Sequence, residues 1–403
     1  MASTRPLELD VVIFGGGGAG LWLLDELIRH GFDTVLLEAA QLGRGQTIAS
    51  QGIIHGGLKY SISGLLTPSA QAVRDMPARW RQSLTGQKPP RLTRTLLRGE
   101  HCHLWQTAAL KSKLAMIGAR AGLRVTPAKL SRDDRPPALG DCPGVVARLD
   151  EQVIEPASFL ADLAGQHHSN LLRIDAQGGL RFELRDAGQV EAIHLNDADS
   201  HDALVLQPRH VVFTAGAGNA QLRRAVGLSQ RAMQRRPLHM VMLRGELPIL
   251  NGHCVDGATT RVTITSAQDS SRATVWQVGG RVAEIGVAMS PQKLVSHARS
   301  ELEAVLPGVD LGGVQWATYR IDRAEGDASG RRPDDVSIIE HGNVITAWPT
   351  KLALVPRLAQ RIVSVLGRPA SRRPFDLSAI ENWPRPVVAQ PPWEMQQQWF
   401  TDV

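Results

Sequence analysis

LDVVIFGGGGAG, residues Leu9–Gly20, is the stretch on which the fold turns. Leu9, Val11, Val12, Ile13 and Phe14 surround a single charge at Asp10, the signature of a short buried strand. From Gly18 to His30 the apolar spacing becomes helical through Leu21, Leu24, Leu27 and Ile28, and Gly31 stops the helix. Thr34 to Glu38 is a second buried strand, which completes a βαβ unit. The loop between strand and helix fits G-x-G-x-x-G. Gly15 makes the tight turn, Gly17 lets a pyrophosphate approach the backbone, and Gly20 allows close helix–strand packing. Gly18 and Ala19 open a helix whose N–H groups and dipole favour phosphate. Glu38 closes the second strand where it can accept from ribose hydroxyls, and its charge disfavours a 2′-phosphate. Loop, strand, helix and acid together predict a dinucleotide site. They do not separate NAD from FAD.

The chain has 403 residues, too many for one simple core, and suits two domains or one domain with a large insertion. With 43% hydrophobic and 21% charged residues its composition is that of a globular protein. The net charge is +6, but the basic residues are scattered, so no nucleic-acid stripe is expected. An anionic small molecule, or a peripheral contact with an acidic membrane surface, suits that charge better. Cys102, Cys142 and Cys254 are too few and too irregular for a disulfide framework, which points to a reducing compartment. The N-terminus runs directly into a strand without a signal-type segment, and no apolar run reaches the ~18 residues of a membrane span. A cytoplasmic protein, at most peripheral at the inner face of the membrane, is the expectation.

Beyond the first unit, a helical stretch is expected from about Gly64 to Gly86, followed by basic, proline-containing connections up to Pro143. ASFLADLAGQ, after Glu155-Pro156, reads as an amphipathic helix with proline at its start. Val211 to Phe213 is a further strand that ends in Thr214-Ala215-Gly216. Val262–Ser266 and Ala273–Val278 read as strands, the latter turning through Gly279-Gly280 into RVAEIGVA as a hairpin. A helix over 292–306, a strand over Val344–Ala347 and a helix from about Thr350 to Leu366, with Thr350 as its N-cap, complete the pattern. The proline- and tryptophan-rich end reads as an extended tail packed on its own body.

Four later segments carry a resemblance. Arg44-Gly45-Gln46-Thr47 followed by SQGIIHGGLKY (Ser50–Tyr60) resembles the flavin-proximal segment of the FAD-dependent glycerol-3-phosphate dehydrogenases. It also resembles that of the L-2-hydroxyglutarate dehydrogenase/oxidase branch of the same D-amino-acid-oxidase-like superfamily. VVFTAGAGN (Val211–Asn219) resembles the second FAD strand of that superfamily. DEQVIEPASFLADL (Asp150–Leu163) is similar to the approach to the helix before it, and AWPTKLALVPRLA (Ala347–Ala359) to the C-terminal flavin segment. The resemblance implies FAD, held by Gly15, Gly17, Gly18, Ala19, Gly20 and Glu38 together with Arg44, Gln46, Thr47, Ser50, Gln51, Ala215, Gly216, Thr350, Lys351 and Leu352. It implies an α/β architecture in which a Rossmann-like FAD domain (1–85, 145–228, 330–380) interleaves with an antiparallel-sheet substrate domain (86–144, 229–329), leaving 381–403 as the tail. The short distance from the last flavin segment to the end of the chain suits the hydroxyglutarate-type single module.

The chemistry implied is hydride transfer to flavin N5 from a small anionic hydroxy compound, a 2-hydroxy acid or polyol phosphate. The electrons would pass on to oxygen, a quinone or a carrier. His55 falls beside the flavin by resemblance, and an imidazole suits a hydroxyl proton at neutral pH. The plain alternative is a hydrogen-bonded histidine at a strand end. A third role is a covalent flavin tether, as in the related dimethylglycine and sarcosine dehydrogenases. Arg320 and Arg323, in WATYRIDRAE, resemble the substrate-domain arginine that clamps an anion, a task suited to a planar guanidinium. Lys59 takes the place of an arginine in "H-G-G-L-R-Y". Lys351 would stabilise the reduced ring electrostatically. His101-Cys102-His103 and His167-His168 lack a second ligand pair, so no metal centre is expected. Two rival functions stand beside this one: an amine or amino-acid oxidase on the same fold, and a non-catalytic flavoprotein subunit.

Overall fold

The computed structural model describes residues 6–57, 68–107, 127–196, 203–256, 259–370 and 376–401. The chain opens with β1 (Leu7–Phe14), α1 (Gly18–Arg29) and β2 (Thr34–Glu38), the expected βαβ unit. Two short helices follow, α2 (Pro68–Val73) and α3 (Met76–Leu84), and then β3 (Leu97–Gly99), β4 (Cys102–Trp105), β5 (Ala128–Lys129), β6 (Val146–Leu149) and β7 (Val153–Ile154). Next come α4 (Pro156–Gln166), β8 (Leu171–Arg173), β9 (Leu180–Asp186), β10 (Gln189–Asn196), β11 (Ala203–Phe213) and α5 (Asn219–Ala225). The remaining strands are β12 (Met233–Gly245), β13 (Gly252–Asp256), β14 (Thr259–Gln268), β15 (Thr274–Gly279), β16 (Gln315–Gly326), β17 (Ser337–His341) and β18 (Val344–Trp348). Helices α6 (Arg281–Ile285) and α7 (Pro291–Val305) precede β16, while α8 (Val355–Leu366) and α9 (Pro392–Met395) follow β18.

One sheet runs in the order β17-β18-β11-β1-β2-β8, with β10 and β9 added beside β11. β1 pairs in parallel with β11 and β2, so Val12 lies between Val211 and Val35. A strand covered on both faces is apolar at successive positions, which explains the reading of Leu9–Phe14. Val11 and Ile13 pack in the core shared with α1, α4 and α8, while Leu9, Val12 and Phe14 pack with Phe213 on the other face. The buried Asp10 is satisfied by Arg209 and by the N–H groups of Asp33 and Ala370, each 3.0 Å away. β6 lies in the second sheet, whose order is β16-β12-β15-β14-β13-β4-β6-β5. There β12 and β16 pair antiparallel from Met233–Gly326 to Arg244–Gln315. α7 covers this sheet with Leu294, Val295, Ala298, Leu302 and Val305, all buried. Full burial of each such aliphatic side chain contributes about 1.5–3 kcal/mol. Ser290 caps α7 by accepting from the Lys293 N–H, with Pro291 in the first turn.

Three expectations are corrected. Gly279-Gly280 does not turn a hairpin: Gly280 has φ +79° and the chain enters α6. β15 is already paired on both edges, with β12 and β14, so a returning strand has no edge to join. Thr350 is not an N-cap. Its φ is +64°, its hydroxyl donates to the Asp335 carbonyl, and the α-helix begins only at Val355 after a 3₁₀ turn. The tail is not wholly extended, since it holds the single turn of α9. It does pack on the body, through bridges Leu42–Val388 and Trp316–Phe400, one at each sheet. Among the described residues no helix is long and apolar enough to cross a membrane.

Candidate functional site

The glycine loop is forced by packing. Gly15 has φ +103°, and a Cβ there would lie 2.4 Å from the Ala215 Cα. A Cβ on Gly20 would lie 2.0 Å from the Gly15 carbonyl oxygen, so α1 can approach the end of β1 only without a side chain at Gly20, while Gly15 lets the turn close against the segment after β11. Gly17 caps α1 without a side-chain hydrogen bond, leaving that helix end open to an anion. Glu38 reaches back from β2, accepting from the Gly16 N–H at 2.7 Å and the Ala40 N–H at 2.8 Å. Burial pushes its carboxyl up, and these backbone donors act in the opposite direction.

A cavity of about 1320 Å³ starts at this loop. Gly15, Gly17, Gly18, Ala19 and Glu38 line it, with Ala215 and Gly216 from the end of β11. Thr350, Lys351 and Leu352, after β18, also face it. Gly20 does not line it, because its role is the helix–strand contact described above. The segment 43–55 forms a further wall, contributing Arg44, Gln46, Thr47, Ser50, Gln51 and His55. Thr47 Oγ1 accepts from the Gly18 N–H at 3.2 Å. Gln46 accepts from the Ala324 N–H at 3.1 Å, and Gln51 donates to the carbonyls of Thr263 and Gln277 at 3.0 and 2.9 Å. These amides tie the wall to the second sheet, so the cavity is closed by both sheets.

The strand-like run that carries His55 is zipped to the segment after β6. Ile54 N–H donates to Gln152 at 2.8 Å, Ile154 N–H to Gly52 at 3.0 Å, and Ile53 bridges Val153. This places Glu151, His55 and His253 together, with their ligand-type atoms all within 4.8 Å of one another. Two of the three come from segments quoted for other reasons or left unassigned in the sequence. Glu151 lies in the run before α4, and His253 lies on β13 beside Cys254. Cys254 is fully buried, and burial pushes its thiol far up, which marks it as inert packing.

At the cavity's second-sheet wall, Arg320 and Arg323 both face the space. The Arg320 guanidinium donates to the carbonyls of Val287 and Met289 at 3.1 and 3.3 Å. Arg323 sits 3.5 Å from a half-exposed Glu284 carboxylate. Burial, with Arg236 and Arg332 nearby, lowers its guanidinium to about 10. Lys351 donates to Ser69 Oγ at 2.6 Å. Lys59 lies outside the described residues.

A glycine loop, an acid at the end of β2 and a cavity walled by two sheets frame the comparison with known proteins. The family model described as FAD dependent oxidoreductase (DAO) matches residues 10–348. The chain belongs to the DAO family of FAD-dependent oxidoreductases. Across 398 residues it is 40% identical to the FAD-dependent oxidoreductase PA4991 of Pseudomonas aeruginosa, an alignment covering 97% of this chain and 99% of that one. The crystal structure of PA4991 superposes with a TM-score of 0.80 at 36% identity, over 97% and 99% of the two chains. Alpha-glycerophosphate oxidase of Streptococcus pyogenes is 23% identical over 62% of this chain and 42% of its own. Glycine oxidase from Geobacillus kaustophilus shares the fold, with a TM-score of 0.63 at 17% identity over 92% and 97% of the chains.

FAD is therefore the cofactor of this DAO-family oxidoreductase, and the cavity suits it. The bare backbone of Gly15, Gly17 and Gly18 fits a pyrophosphate, and Glu38, which lines the cavity at the end of β2, would be the group to meet the ribose. The cavity's size also suits a large cofactor with room beside it for a small substrate.

Proposed function

We propose that this oxidoreductase oxidises a small anionic hydroxy compound, a 2-hydroxy acid or a polyol phosphate. The observation that carries the reading is that one cavity has the glycine loop, His55 and Arg323 on its walls. FAD, when bound, would supply a two-electron acceptor for hydride. His55 would take the hydroxyl proton as the carbinol C–H bond breaks. Arg323 would draw the carboxylate or phosphate. Its present partner, Glu284, is half-exposed at 3.5 Å, a contact weak enough for an incoming anion to displace. Arg320, tied to two carbonyls, would hold the wall in shape rather than clamp substrate. Lys351 would favour the anionic reduced ring from its place in the lining. The S. pyogenes relative, whose name is that of a polyol-phosphate oxidase, supports the anionic class.

The test is anaerobic titration of the flavin absorbance with 2-hydroxy acids, glycerol phosphates and amino acids. Bleaching by a hydroxy acid or a glycerol phosphate is expected. Bleaching by amines alone would transfer the site to amine oxidation and overturn the proposal.

A further inference from the structure

We infer that Glu151 is the positioning residue for His55, and that His253 in turn holds Glu151 from behind. The inference rests on the reading of His55 as the proton acceptor. His55 lines the cavity, whereas Glu151 and His253 stand outside its lining. Glu151 is 1% exposed. Its Oε1 accepts from the Gly56 N–H at 2.6 Å, one residue beyond His55. Its Oε2 is turned to both imidazoles, 3.6 Å from His55 Nδ1 and 3.9 Å from His253 Nε2. The two rings lie 5.4 Å apart at 36°. His253 is fully buried, and its Nδ1 lies 2.8 Å from the Thr263 hydroxyl on β14.

A carboxylate beside the apolar cluster of Ile53, Leu104, Leu149 and Val153 is costly unless cationic or hydrogen-bonding groups meet it. Among the groups that meet this one are the Gly56 N–H next to His55, the His55 ring and the His253 ring. With Nδ1 directed at Glu151, Nε2 is the nitrogen that serves substrate. When the substrate O–H bond breaks, its proton adds to Nε2, and the resulting imidazolium is balanced by the Glu151 carboxylate. The charge separation is thus neutralised within the protein. A separation of 3.6 Å is longer than a hydrogen bond, and contacts of this kind tighten when the reacting complex forms. His253 Nδ1 meets the Thr263 hydroxyl, and its Nε2 is the ring nitrogen turned to Glu151.

Glu151, from the loop after β6, and His253, from β13, are titratable groups that face His55. The test follows the ¹⁵N-histidine resonances of the FAD-loaded protein through a pH titration, with His55→Asn assigning the signal. In Glu151→Gln the His55 midpoint should move to lower pH, because a charge that favours imidazolium is gone. In His253→Leu it should move to higher pH, because the Glu151 carboxylate is then shared with one imidazole instead of two. Where a substrate bleaches the flavin, Glu151→Gln should slow flavin reduction by about 10- to 100-fold with FAD content unchanged, and Glu151→Asp should recover part of the rate. An unmoved His55 midpoint in both variants would overturn the inference. So would a stoichiometric metal ion in the wild type that is lost in Glu151→Gln, since the three side chains would then be ligands. If no hydroxy compound bleaches the flavin, the proposed function fails while the resonance titration still decides the role of Glu151.

Discussion

Glu38 shows how much one side chain can join. Its carboxylate ties the glycine loop to β2 through Gly16 and anchors the following turn through Ala40. Glu38→Ala leaves both N–H groups without that acceptor, and it would also remove the group proposed to meet the ribose. The expected cost is about 1.5–3 kcal/mol, a roughly 10- to 150-fold weaker hold on FAD, measured by the fluorescence of released flavin. Glu38 was legible because a G-x-G-x-x-G loop fixes where the acid must stand. His55 was legible through its resemblance and its glycine neighbours. Glu151 was not, since it bonds a residue 95 positions away and nothing in EQVIEP marks a paired acid. Gln46 and Gln51 were expected at the flavin, and the structure shows their amides bonded to the second sheet.

Helices α1 and α4 are held together by one ionic contact as well as by apolar packing. Asp25 of α1 meets His167, at the end of α4, at 3.0 Å, and Arg29 at 2.8 Å. Burial pushes the Asp25 carboxyl up, but the His167 and Arg29 hydrogen bonds and charges outweigh it and hold it below the ordinary carboxylate range. A carboxyl lowered on folding stabilises the native state at pH values above its unfolded value. That contribution disappears as the pH falls through the folded value. Asp25→Asn should therefore cost about 1.5–3 kcal/mol at neutral pH. Urea unfolding at successive pH values should show the gap to wild type closing in acid, below the ordinary carboxylate range. At this scale most helices were readable from spacing, including α7, expected over 292–306. The missed α6 was not, because two glycines after a strand signal a hairpin equally well. Only the occupied edges of β15 exclude it.

At the scale of the molecule, the tail fastens the architecture. Trp383 Nε1 donates to the Arg173 carbonyl at 2.8 Å beside the first sheet. Trp393 is buried on the second, with the Arg98 guanidinium 5.0 Å from its ring. Trp393→Ala should cost about 3–5 kcal/mol of stability. Calorimetry should show a lower unfolding temperature, and an unchanged one would mean that the tail only rests on the surface. The sequence by itself determined the dinucleotide-binding start, the alternation of parallel and antiparallel regions, and the superfamily. Those features are local in spacing or linear in order: a turn that only glycine can make, a strand apolar on both faces, motifs in a set succession. Tertiary structure alone decided which acid stands behind His55, which carboxylate Arg323 meets, and where β15 finds its neighbours. Each depends on side chains far apart in the chain meeting in a buried space, where distance and desolvation set what a charge can do.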